Sequence, residues 1–371
     1  MRKVAVLFGG ESCEREISIL TGVFTYNLID RQLFEPVPVY FHLDGRAYTS
    51  AKMNSIEFFK KFNAEDCDEV IFARGELHKI GKRKLKPFVK PAVAINCCHG
   101  GIGEGGGVSA MMEWNNIPLA SPSVAPSGIF LDKSITKLVA KGLGIPVLDS
   151  MTVHESDYKK RGKFLLKNIE NRLGLPVVVK PVRLGSSIGI TVAGTQQSVK
   201  DALETAFAFD DIALIEGYLE EKSDVNCAVC RRKGEILVSE PEIACENAGI
   251  YSFEDKYLTG NGLLNGKGKG QVRELDEKIT KAIKTYTKTL YKKTDMRGVV
   301  RMDYLVSNGE VYLSEVNTVP GSLAYYLFCE RLTDARNFFT DLLLEAIAKS
   351  KEPPKLCLQT GVLDGLKLKR K

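Results

Sequence analysis

The sequence predicts a mixed α/β and α+β protein that begins with an open α/β domain. Over the first 120 or so residues, short buried runs alternate with amphipathic stretches, and two of the runs end in glycines. The later part of the chain carries strands joined by Gly/Ser-rich or polar turns. With 371 residues and 44% hydrophobic content, the chain can form two or three domains, each with its own core.

In the N-terminal part, apolar runs predict strands at residues 4–8, 37–41, 70–73 and 92–97, and helical periodicity predicts a helix at residues 17–28. Parallel strands of such a sheet end at a common edge, where ligand crevices form. Two polar glycine-rich junctions, residues 9–16 and 99–107, follow predicted strands. Glycines there allow a ligand close to the backbone, and the helix starts favour anions. Alternatively, the acids of the first helical turn only complement the helix dipole.

From residue 126 the pattern changes. A helix is predicted at residues 127–143, carrying Asp132 and Lys133 and stopped by Gly144-Ile145-Pro146. A strand ending at Lys180, a Gly/Ser loop and a second strand follow over residues 175–192. The loop's backbone N–H groups and hydroxyls suit a polyphosphate, and Lys180 adds a cation.

Two further segments suit a nucleotide site. Residues 213–219 predict a buried strand on which Glu216 could contact an adenine or a ribose. Residues 246–270, rich in Gly, Asn and Lys, predict a mobile lid that carries Lys256 and Tyr257. A Lys-Tyr pair at a loop start is, however, more often solvent-facing.

A polar hairpin near residue 310 predicts a magnesium site. Asp303, Glu315 and Asn317 supply the hard oxygen donors that Mg²⁺ prefers. Glu315 and Asn317, two residues apart, share a strand face. A plain two-residue Asn308-Gly309 turn would put Glu315 on the face opposite Asp303, so we expect an odd-length or bulged turn, which pairs Asp303 with Glu315. The alternative is a polar edge hairpin with solvated acids.

Composition argues against several other classes. No run of about 18 apolar residues appears, and the N-terminal apolar run is too short for a signal peptide, so we expect a cytoplasmic protein without a membrane span. The nine scattered cysteines indicate reduced thiols, and Cys97-Cys98-His99 lacks the second ligand pair of a zinc site. The net charge of +6 comes partly from residues 79–90 and the basic tail. No aromatic-interleaved motif accompanies these runs, so we expect solvated surfaces and no nucleic-acid partner.

Taken in order, several motifs resemble one family. They are Gly9-Gly10 with Glu14-Arg15-Glu16-Ile17-Ser18, His99-Gly100 with Gly103-Glu104, Asp132-Lys133, Lys180-Pro181 with Gly185-Ser186-Ser187-Ile188-Gly189, Lys256-Tyr257, Arg301 with Asp303, and Glu315 with Asn317-Thr318 and Pro320-Gly321. From residue 3 to about 350 the chain resembles the D-alanine–D-alanine ligase family of the ATP-grasp superfamily.

The resemblance implies an N-terminal α/β (pre-ATP-grasp) domain at residues 1–125 and a two-lobed ATP-grasp fold. Its small lobe would span residues 126–210 and its C-terminal lobe residues 211–352, with a basic tail at 353–371. It implies ATP and magnesium as cofactors, with two ions expected and manganese as a substitute, and a homodimer. In the implied reaction, a D-alanine carboxylate attacks the γ-phosphate of ATP, and the amine of a second D-alanine displaces phosphate from the acyl phosphate. The product is a peptidoglycan precursor.

The resemblance also assigns roles to individual residues. Glu14, Ser186, Arg301 and Gly321 are expected to be catalytic: Glu14 holds the first substrate's ammonium, Ser186 covers phosphate, and Arg301 with the Gly321 backbone stabilises the oxyanion. The expected substrate-binding residues are His99, Glu104, Lys256, Tyr257 and Tyr326. The expected ATP-binding residues are Lys133, Lys180, Ser186, Ser187, Glu216 and, near the usual ribose-binding Glu, Asp224. The expected metal ligands are Asp303, Glu315 and Asn317.

Two departures from the family pattern concern the substrates. Gly105 follows Glu104 where the family usually has Asp, and Tyr326 lies where a Ser usually binds the carboxylate of the second D-alanine. Tyr257 favours an amino acid over a hydroxy acid as acceptor, because the depsipeptide-forming relatives carry His there. Three hypotheses therefore remain: a D-alanine–D-alanine ligase, a ligase with another amino-acid acceptor, and a catalytically silent ATP-binding homologue.

Overall fold

The computed structural model describes residues 1–245 and 275–350, and within these ranges it contains three β-sheets with helices packed on them. The expected lid at residues 246–270 and the basic tail lie outside the described residues. In the described part, no helix has the length and apolarity required to cross a membrane.

The first sheet has the order β6-β5-β4-β3-β2-β1-β7. Strand β1, which lies next to the edge strand β7, is buried from Val4 onward and runs parallel to β2 and β7, while the remaining pairs are antiparallel. The predicted open α/β sheet is therefore confirmed, and an antiparallel meander extends one side of it. The strands are β1 Arg2–Gly9, β2 Phe34–Phe41, β3 Ala47–Thr49, β4 Asp68–Ala73, β5 Glu76–Ile80, β6 Leu85–Val89 and β7 Val93–Asn96.

The helices of the N-terminal half follow the strand ends. They are α1 Arg15–Leu28, α2 Ile56–Lys60, α3 Val108–Trp114, α4 Val124–Leu131 and α5 Lys133–Gly142. The single helix predicted at residues 127–143 is wrong: Asp132 has extended backbone angles and separates α4 from α5. Its carboxylate accepts a 2.9 Å hydrogen bond from the Ile135 N–H and so caps α5. An Asp at that position thus starts a second helix instead of continuing the first.

The second sheet has the order β10-β9-β11-β8 and is covered by two helices. Its strands are β8 Ser150–His154, β9 Val177–Pro181, β10 Thr191–Ala193 and β11 Ile212–Gly217, and its helices are α6 Glu155–Leu173 and α7 Gln196–Phe207. The expected boundary at residue 210 falls just before β11, which pairs with β8 and β9. The domain boundaries themselves stay a prediction.

The third sheet is antiparallel and has β12 and β15 at its centre. Its strands are β12 Ser223–Arg232, β13 Glu235–Val238, β14 Glu242–Cys245, β15 Val299–Ser307 and β16 Glu310–Asn317, with helices α8 Glu277–Lys293 and α9 Leu332–Ser350. Phe338 and Phe339 of α9 are fully buried in one cluster with Val4, Val6 and Phe8 of β1. The C-terminal helix therefore shares its core with the first sheet, which brings the ends of β1, β7 and β16 together.

Candidate active site

The hairpin of β15 and β16 has a two-residue turn and a bulge in one of its strands. Its turn is the two-residue Asn308-Gly309, with φ of 51° and 78°, and Ser307 pairs with Glu310. A register shift then occurs at Asp303/Tyr304: Tyr304 pairs with Leu313 and Asp303 with Glu315, leaving Ser314 as the extra residue of a bulge. The expected odd-length or bulged turn is therefore wrong, because the bulge lies in the strand. The pairing of Asp303 with Glu315, for which we expected an irregularity, is confirmed.

Because of this bulge, four polar residues share one face of the hairpin. Arg301 pairs with Asn317 as Asp303 pairs with Glu315. The Arg301 guanidinium donates to both carboxylate oxygens of Asp303, from Nε at 2.7 Å and from Nη2 at 2.8 Å. The Asn317 Nδ2 donates to Asp303 Oδ2 at 3.1 Å. Burial alone would lower the pKa of Arg301, but the charge of Asp303 raises it well above its usual value, so the guanidinium is a permanent cation.

The donor set on this face fits a magnesium ion. Asp303 and Glu315 contribute carboxylates, and Asn317 contributes a carboxamide oxygen. Within residues 1–245 and 275–350, no three His, Cys, Asp or Glu side chains lie close enough together to hold a metal ion. A metal ion on this face would therefore depend on the two carboxylates and the Asn317 oxygen. Hard oxygen donors with few protein ligands suit Mg²⁺, which keeps waters and substrate oxygens in its shell.

Lys133 connects this face to the Gly/Ser loop. The cap at Asp132 places Lys133 at the first position of α5, where its side chain is buried. Its Nζ lies 3.3 Å from Glu315 Oε2 and donates to the Leu184 carbonyl at 2.6 Å. One cation therefore contacts both the expected metal ligand and the start of the expected phosphate loop.

Glu216 lies between two buried lysines. Its Oε1 pairs with Lys137 Nζ and its Oε2 with Lys180 Nζ. Burial would raise the pKa of Glu216, but the two ammonium groups together lower it, so the carboxylate stays ionised. Burial likewise opposes the charge of Lys180, yet Glu216 raises its pKa.

The Gly/Ser loop meets the first glycine-rich junction. The Ser186 hydroxyl donates to Glu14 Oε1, and Ser186 and Ser187 have left-handed φ of 54° and 59°. A Cβ at Gly185 would lie 2.7 Å from Glu14 Oε2, so a larger residue there would require the loop or that carboxylate to move. Gly22 allows the helix that starts beside Glu14 to pack on β1, since a Cβ there would lie 2.3 Å from Phe8 Cγ.

His99 and Glu104 line the second junction. His99 Nε2 lies 2.9 Å from Thr21 Oγ1, and burial, helped by the charge of Arg301, lowers the pKa of His99 to about 3. Glu104 accepts from the Gly100 N–H at 2.8 Å and from the Val319 N–H at 3.0 Å. Burial and the nearby Glu14 charge raise the pKa of Glu104 to about 7. The second junction thus contacts the chain directly after the Asn317 strand.

The segment after that strand brings Tyr326 to Arg301. Gly321–Leu327 forms 3₁₀-type turns in which Ser322, Leu323 and Ala324 have left-handed φ of 49°, 53° and 48°. The Arg301 Nη1 donates to the Tyr326 hydroxyl at 3.3 Å. Tyr326 therefore belongs to the same site as the expected oxyanion stabiliser.

Several other residues were singled out from the sequence. The Asp224 carboxylate pairs with Lys222 at the start of β12. Lys256 and Tyr257 lie outside the described residues. At Gly105 a Cβ would lie 2.7 Å from Leu131 Cδ2, so the Asp usual in the family would require Leu131 to shift. Cys97 and Cys98 are free and buried, and burial raises the pKa of Cys97 to about 12, which agrees with inert thiols.

Sequence reasoning missed Lys137, Thr21 and Arg183. Lys137 follows Lys133 by four residues on a helix, a spacing that places both on one face and could have identified it. Thr21 contacts His99 from α1, and Arg183 pairs with Asp210 and Asp211 to anchor the start of the Gly/Ser loop. These contacts join segments distant in sequence, and no local pattern predicts them.

A lysine-bearing strand with a Gly/Ser loop opposes an acidic hairpin, and an α/β sheet adds polar junctions to the same site; this combination defines an ATP-grasp ligase. Family models described as D-ala D-ala ligase N-terminus and C-terminus match residues 3–122 and 139–348. The chain belongs to the D-alanine–D-alanine ligase family, whose members are ATP-dependent ligases.

Individual relatives agree with this assignment. The D-alanine–D-alanine ligase of Thermosipho africanus is 32% identical over 338 residues, which are 88% of each chain. The crystal structure of the D-alanine–D-alanine ligase of Helicobacter pylori is 27% identical, with a TM-score of 0.73 over 95% of this chain and 100% of that one. The VanG D-Ala:D-Ser ligase of Enterococcus faecalis, 24% identical with a TM-score of 0.72 over 94% and 99% of the two chains, shares the fold.

Proposed function

We propose that this protein joins two D-alanines in a reaction that consumes ATP and requires magnesium. The observation that carries the proposal is the shared face of Arg301, Asp303, Glu315 and Asn317, together with the Lys133 contacts to Glu315 and to the Gly/Ser loop. This arrangement concentrates oxygen donors and cations where phosphate oxygens and magnesium would meet. The product would serve peptidoglycan precursor synthesis, as in the family.

The chain's own residues would prepare the first step, which is attack of a carboxylate on the γ-phosphate. Lys133 and Lys180 would bind phosphate oxygens, and the backbone N–H groups near Ser186 and Ser187 would cover them. Glu216 and Asp224 would contact the adenosine part of ATP. Asp303, Glu315 and Asn317 would hold magnesium, which when bound neutralises charge on the phosphates.

The first D-alanine would lie between the two glycine-rich junctions. Glu14 would accept its ammonium group, in place of the Ser186 hydroxyl that Glu14 now accepts from. His99, uncharged because its pKa is so low, would line the pocket without repelling the ammonium. Glu104 would line the same pocket and, by accepting from the Gly100 and Val319 N–H groups, would hold the second junction against the segment that follows β16.

In the second step, the amine of the acceptor would attack the acyl phosphate carbonyl. The bond between the amine nitrogen and the acyl carbon forms, and the carbonyl oxygen becomes an oxyanion. When the oxyanion collapses, the bond between the acyl carbon and the phosphate oxygen breaks, and the proton lost by the nitrogen leaves with the phosphate. Arg301 and the Gly321 N–H would stabilise the oxyanion. Lys256 and Tyr257, which the resemblance assigns to substrate binding, lie outside the described residues.

A second candidate function is the same chemistry with another amino-acid acceptor. The contact of Tyr326 with Arg301 favours it, because a tyrosine ring takes far more space than the serine usual there. A fold neighbour is named a D-Ala:D-Ser ligase, which shows that the fold admits another acceptor. A catalytically silent homologue is disfavoured, because the two expected phosphate-binding lysines are present together with all four polar residues of the hairpin face. The lysines are Lys133 and Lys180.

The proposal includes a cytoplasmic homodimer that binds two magnesium ions per site and accepts manganese instead. The family resemblance supports the metal number and the dimer, and the ATP requirement supports the compartment. Light scattering of the purified protein tests the dimer, and metal titration tests the ions.

The deciding experiment is phosphate release from Mg·ATP with purified protein and D-alanine, D-serine, D-lactate or L-alanine, with the product identified by mass spectrometry. We expect release with D-alanine and formation of D-alanyl-D-alanine. Release with a different acceptor would establish the second candidate, and ATP binding without release for any acceptor would establish the silent homologue.

A further inference from the structure

The buried contact between Lys137 and Glu216 has no part in the mechanism described above. Lys137 is 3% exposed and lies one helical turn after Lys133. Its Nζ pairs with Glu216 Oε1 and lies 3.4 Å from the Leu148 carbonyl oxygen. Glu216 is 2% exposed, and its other oxygen pairs with Lys180.

Lys180 therefore has two competing anions. In the proposed function it binds an ATP phosphate, while in this structure it pairs with Glu216. A buried carboxylate that loses its last counter-ion is strongly destabilised, so a pair of Lys180 and Glu216 alone would resist the exchange. A second cation on Glu216 removes this obstacle, because the carboxylate stays compensated when Lys180 moves.

We propose that Lys137 is a positioning residue for the nucleotide: it remains on Glu216 as the resident counter-ion and so frees Lys180 for the phosphates of ATP. The inference rests on the proposed function, because it assumes that Lys180 belongs to an ATP site. Lys137 itself does not contact the nucleotide in this scheme.

The surroundings of the two lysines support these different roles, with Lys137 fixed on Glu216 and Lys180 free to bind phosphate. Lys137 is held at Leu148, just before β8, and the first residue of β8, Ser150, pairs with Glu216 of β11. It is thus fixed among segments that frame Glu216. Lys180, in contrast, is the penultimate residue of β9, just before the Gly/Ser loop, and the charges of Glu315 and Asp224 also act on it.

The test is calorimetric titration of the full-length protein with ADP, which measures nucleotide binding without turnover. Lys137→Met keeps the length of the side chain and removes the charge, and we expect it to weaken ADP binding about tenfold or more. Lys141→Met is the matched control: Lys141 is one turn further on the same helix, half-exposed, and its Nζ lies 4.0 Å from Asp149 Oδ1. The control should bind ADP as the wild type does.

A double-mutant cycle separates the positioning role from a purely structural one. In a Glu216→Gln background no buried carboxylate needs Lys137, so adding Lys137→Met should change ADP affinity less than about twofold. Wild-type ADP affinity in a folded Lys137→Met variant, even with a lower melting temperature, would overturn the proposal. So would a tenfold loss that persists unchanged in the Glu216→Gln background.

A further variant covers the case in which Lys137→Met does not fold. Lys137→Gln keeps a hydrogen-bond donor for Glu216 without the charge and should also weaken ADP binding, whereas wild-type affinity would overturn the inference. The outcomes for the proposed function are distinct. A wild-type protein that binds no ADP has no ATP site, and one that binds ADP but forms no dipeptide retains the Lys137 inference while losing the proposed reaction.

Discussion

Arg301 is the residue of the hairpin whose substitution tests the proposed reaction most directly, because it has partners on two sides of the site. Arg301 contacts both Asp303 and Tyr326, so it links the expected metal ligands to the expected acceptor pocket. Its charge is permanent. A group of this kind stabilises a developing oxyanion without proton transfer.

Arg301→Met should lower kcat by about two to three orders of magnitude while changing the KM for ATP much less, because an oxyanion forms only in the transition state. Steady-state kinetics with D-alanine and ATP measure both constants. Arg297→Met, at an exposed arginine four residues earlier, serves as the control. Equal losses in ATP affinity and turnover would instead place Arg301 in nucleotide binding.

Tyr326→Ser should improve the use of D-alanine as acceptor if the ring narrows the pocket, since it restores the smaller hydroxyl side chain usual in the family. Tyr326→Phe keeps the ring and removes the hydroxyl that Arg301 donates to. Saturation curves for each variant separate ring size from the hydroxyl. If the rate depends on acceptor concentration in both variants as it does in the wild type, Tyr326 does not determine acceptor specificity.

His99 makes a prediction about pH. Its pKa is about 3 in the folded protein and about 6.5 in an unfolded chain, so between these values only the unfolded state takes up the proton. Its contribution to stability is therefore present above pH 6.5 and lost as the pH falls towards 3. At pH 5 the loss amounts to about 2 kcal/mol.

The comparison of wild type with His99→Gln checks this. The free energy of unfolding of the wild type should fall more between pH 7 and 5 than that of the variant. His154→Gln, at an exposed histidine before α6, should fall as the wild type does. Parallel curves for wild type and His99→Gln would show that His99 is accessible to protons in the folded state.

At the scale of secondary-structure elements, the Gly/Ser loop depends on close approach to the first junction. Gly185→Ala would place a Cβ 2.7 Å from Glu14 Oε2, so either the loop or the carboxylate must move. We expect a higher KM for the first D-alanine, by about tenfold, because Glu14 would lose its position. Gly194→Ala, with no atom within 4 Å of the added Cβ, is the control. Kinetics in which both variants match the wild type would exclude Glu14 from the first substrate site.

The elements also show which features a sequence can predict. The strand of residues 4–8, the helix of residues 17–28 and the pairing of Asp303 with Glu315 were predictable because each rests on local periodicity or on the spacing of two polar residues. The break at Asp132 was missed, since apolar periodicity continues through it and only the cap interrupts the helix. The meander of β3 to β6 was largely missed because its strands are short and half-exposed.

At the scale of the whole molecule, the first sheet and the C-terminal helix share one core. Phe338 of α9 is fully buried and stacks on Phe328 with ring centroids 5.2 Å apart. Phe338→Ala should therefore destabilise the protein by about 3 to 5 kcal/mol, as large-to-small core substitutions do. Chemical denaturation followed by circular dichroism measures the change.

Leu344→Ala, at a partly exposed position of the same helix, is the control for this prediction and should shift the denaturation midpoint much less. A similar shift for both variants would mean that burial of Phe338 in the shared core stabilises the protein no more than a partly exposed side chain of α9 does. Contacts of this range could not be predicted from the sequence, because Phe338 lies more than 300 positions from β1. The same holds for Glu104 and Val319, and for Glu14 and Ser186.

Arg301 donates three hydrogen bonds within the described residues, and this number sets how many more it can donate to a substrate. A guanidinium carries five N–H groups, of which Asp303 accepts from two and Tyr326 from one. Two N–H groups have no acceptor among residues 1–245 and 275–350, so they can bind an incoming oxygen without any of these contacts being broken. After Arg301→Lys, the ammonium group would have only three N–H groups, and the same three contacts would use all of them. The side chain could then bind a substrate oxygen only by releasing Asp303 or Tyr326.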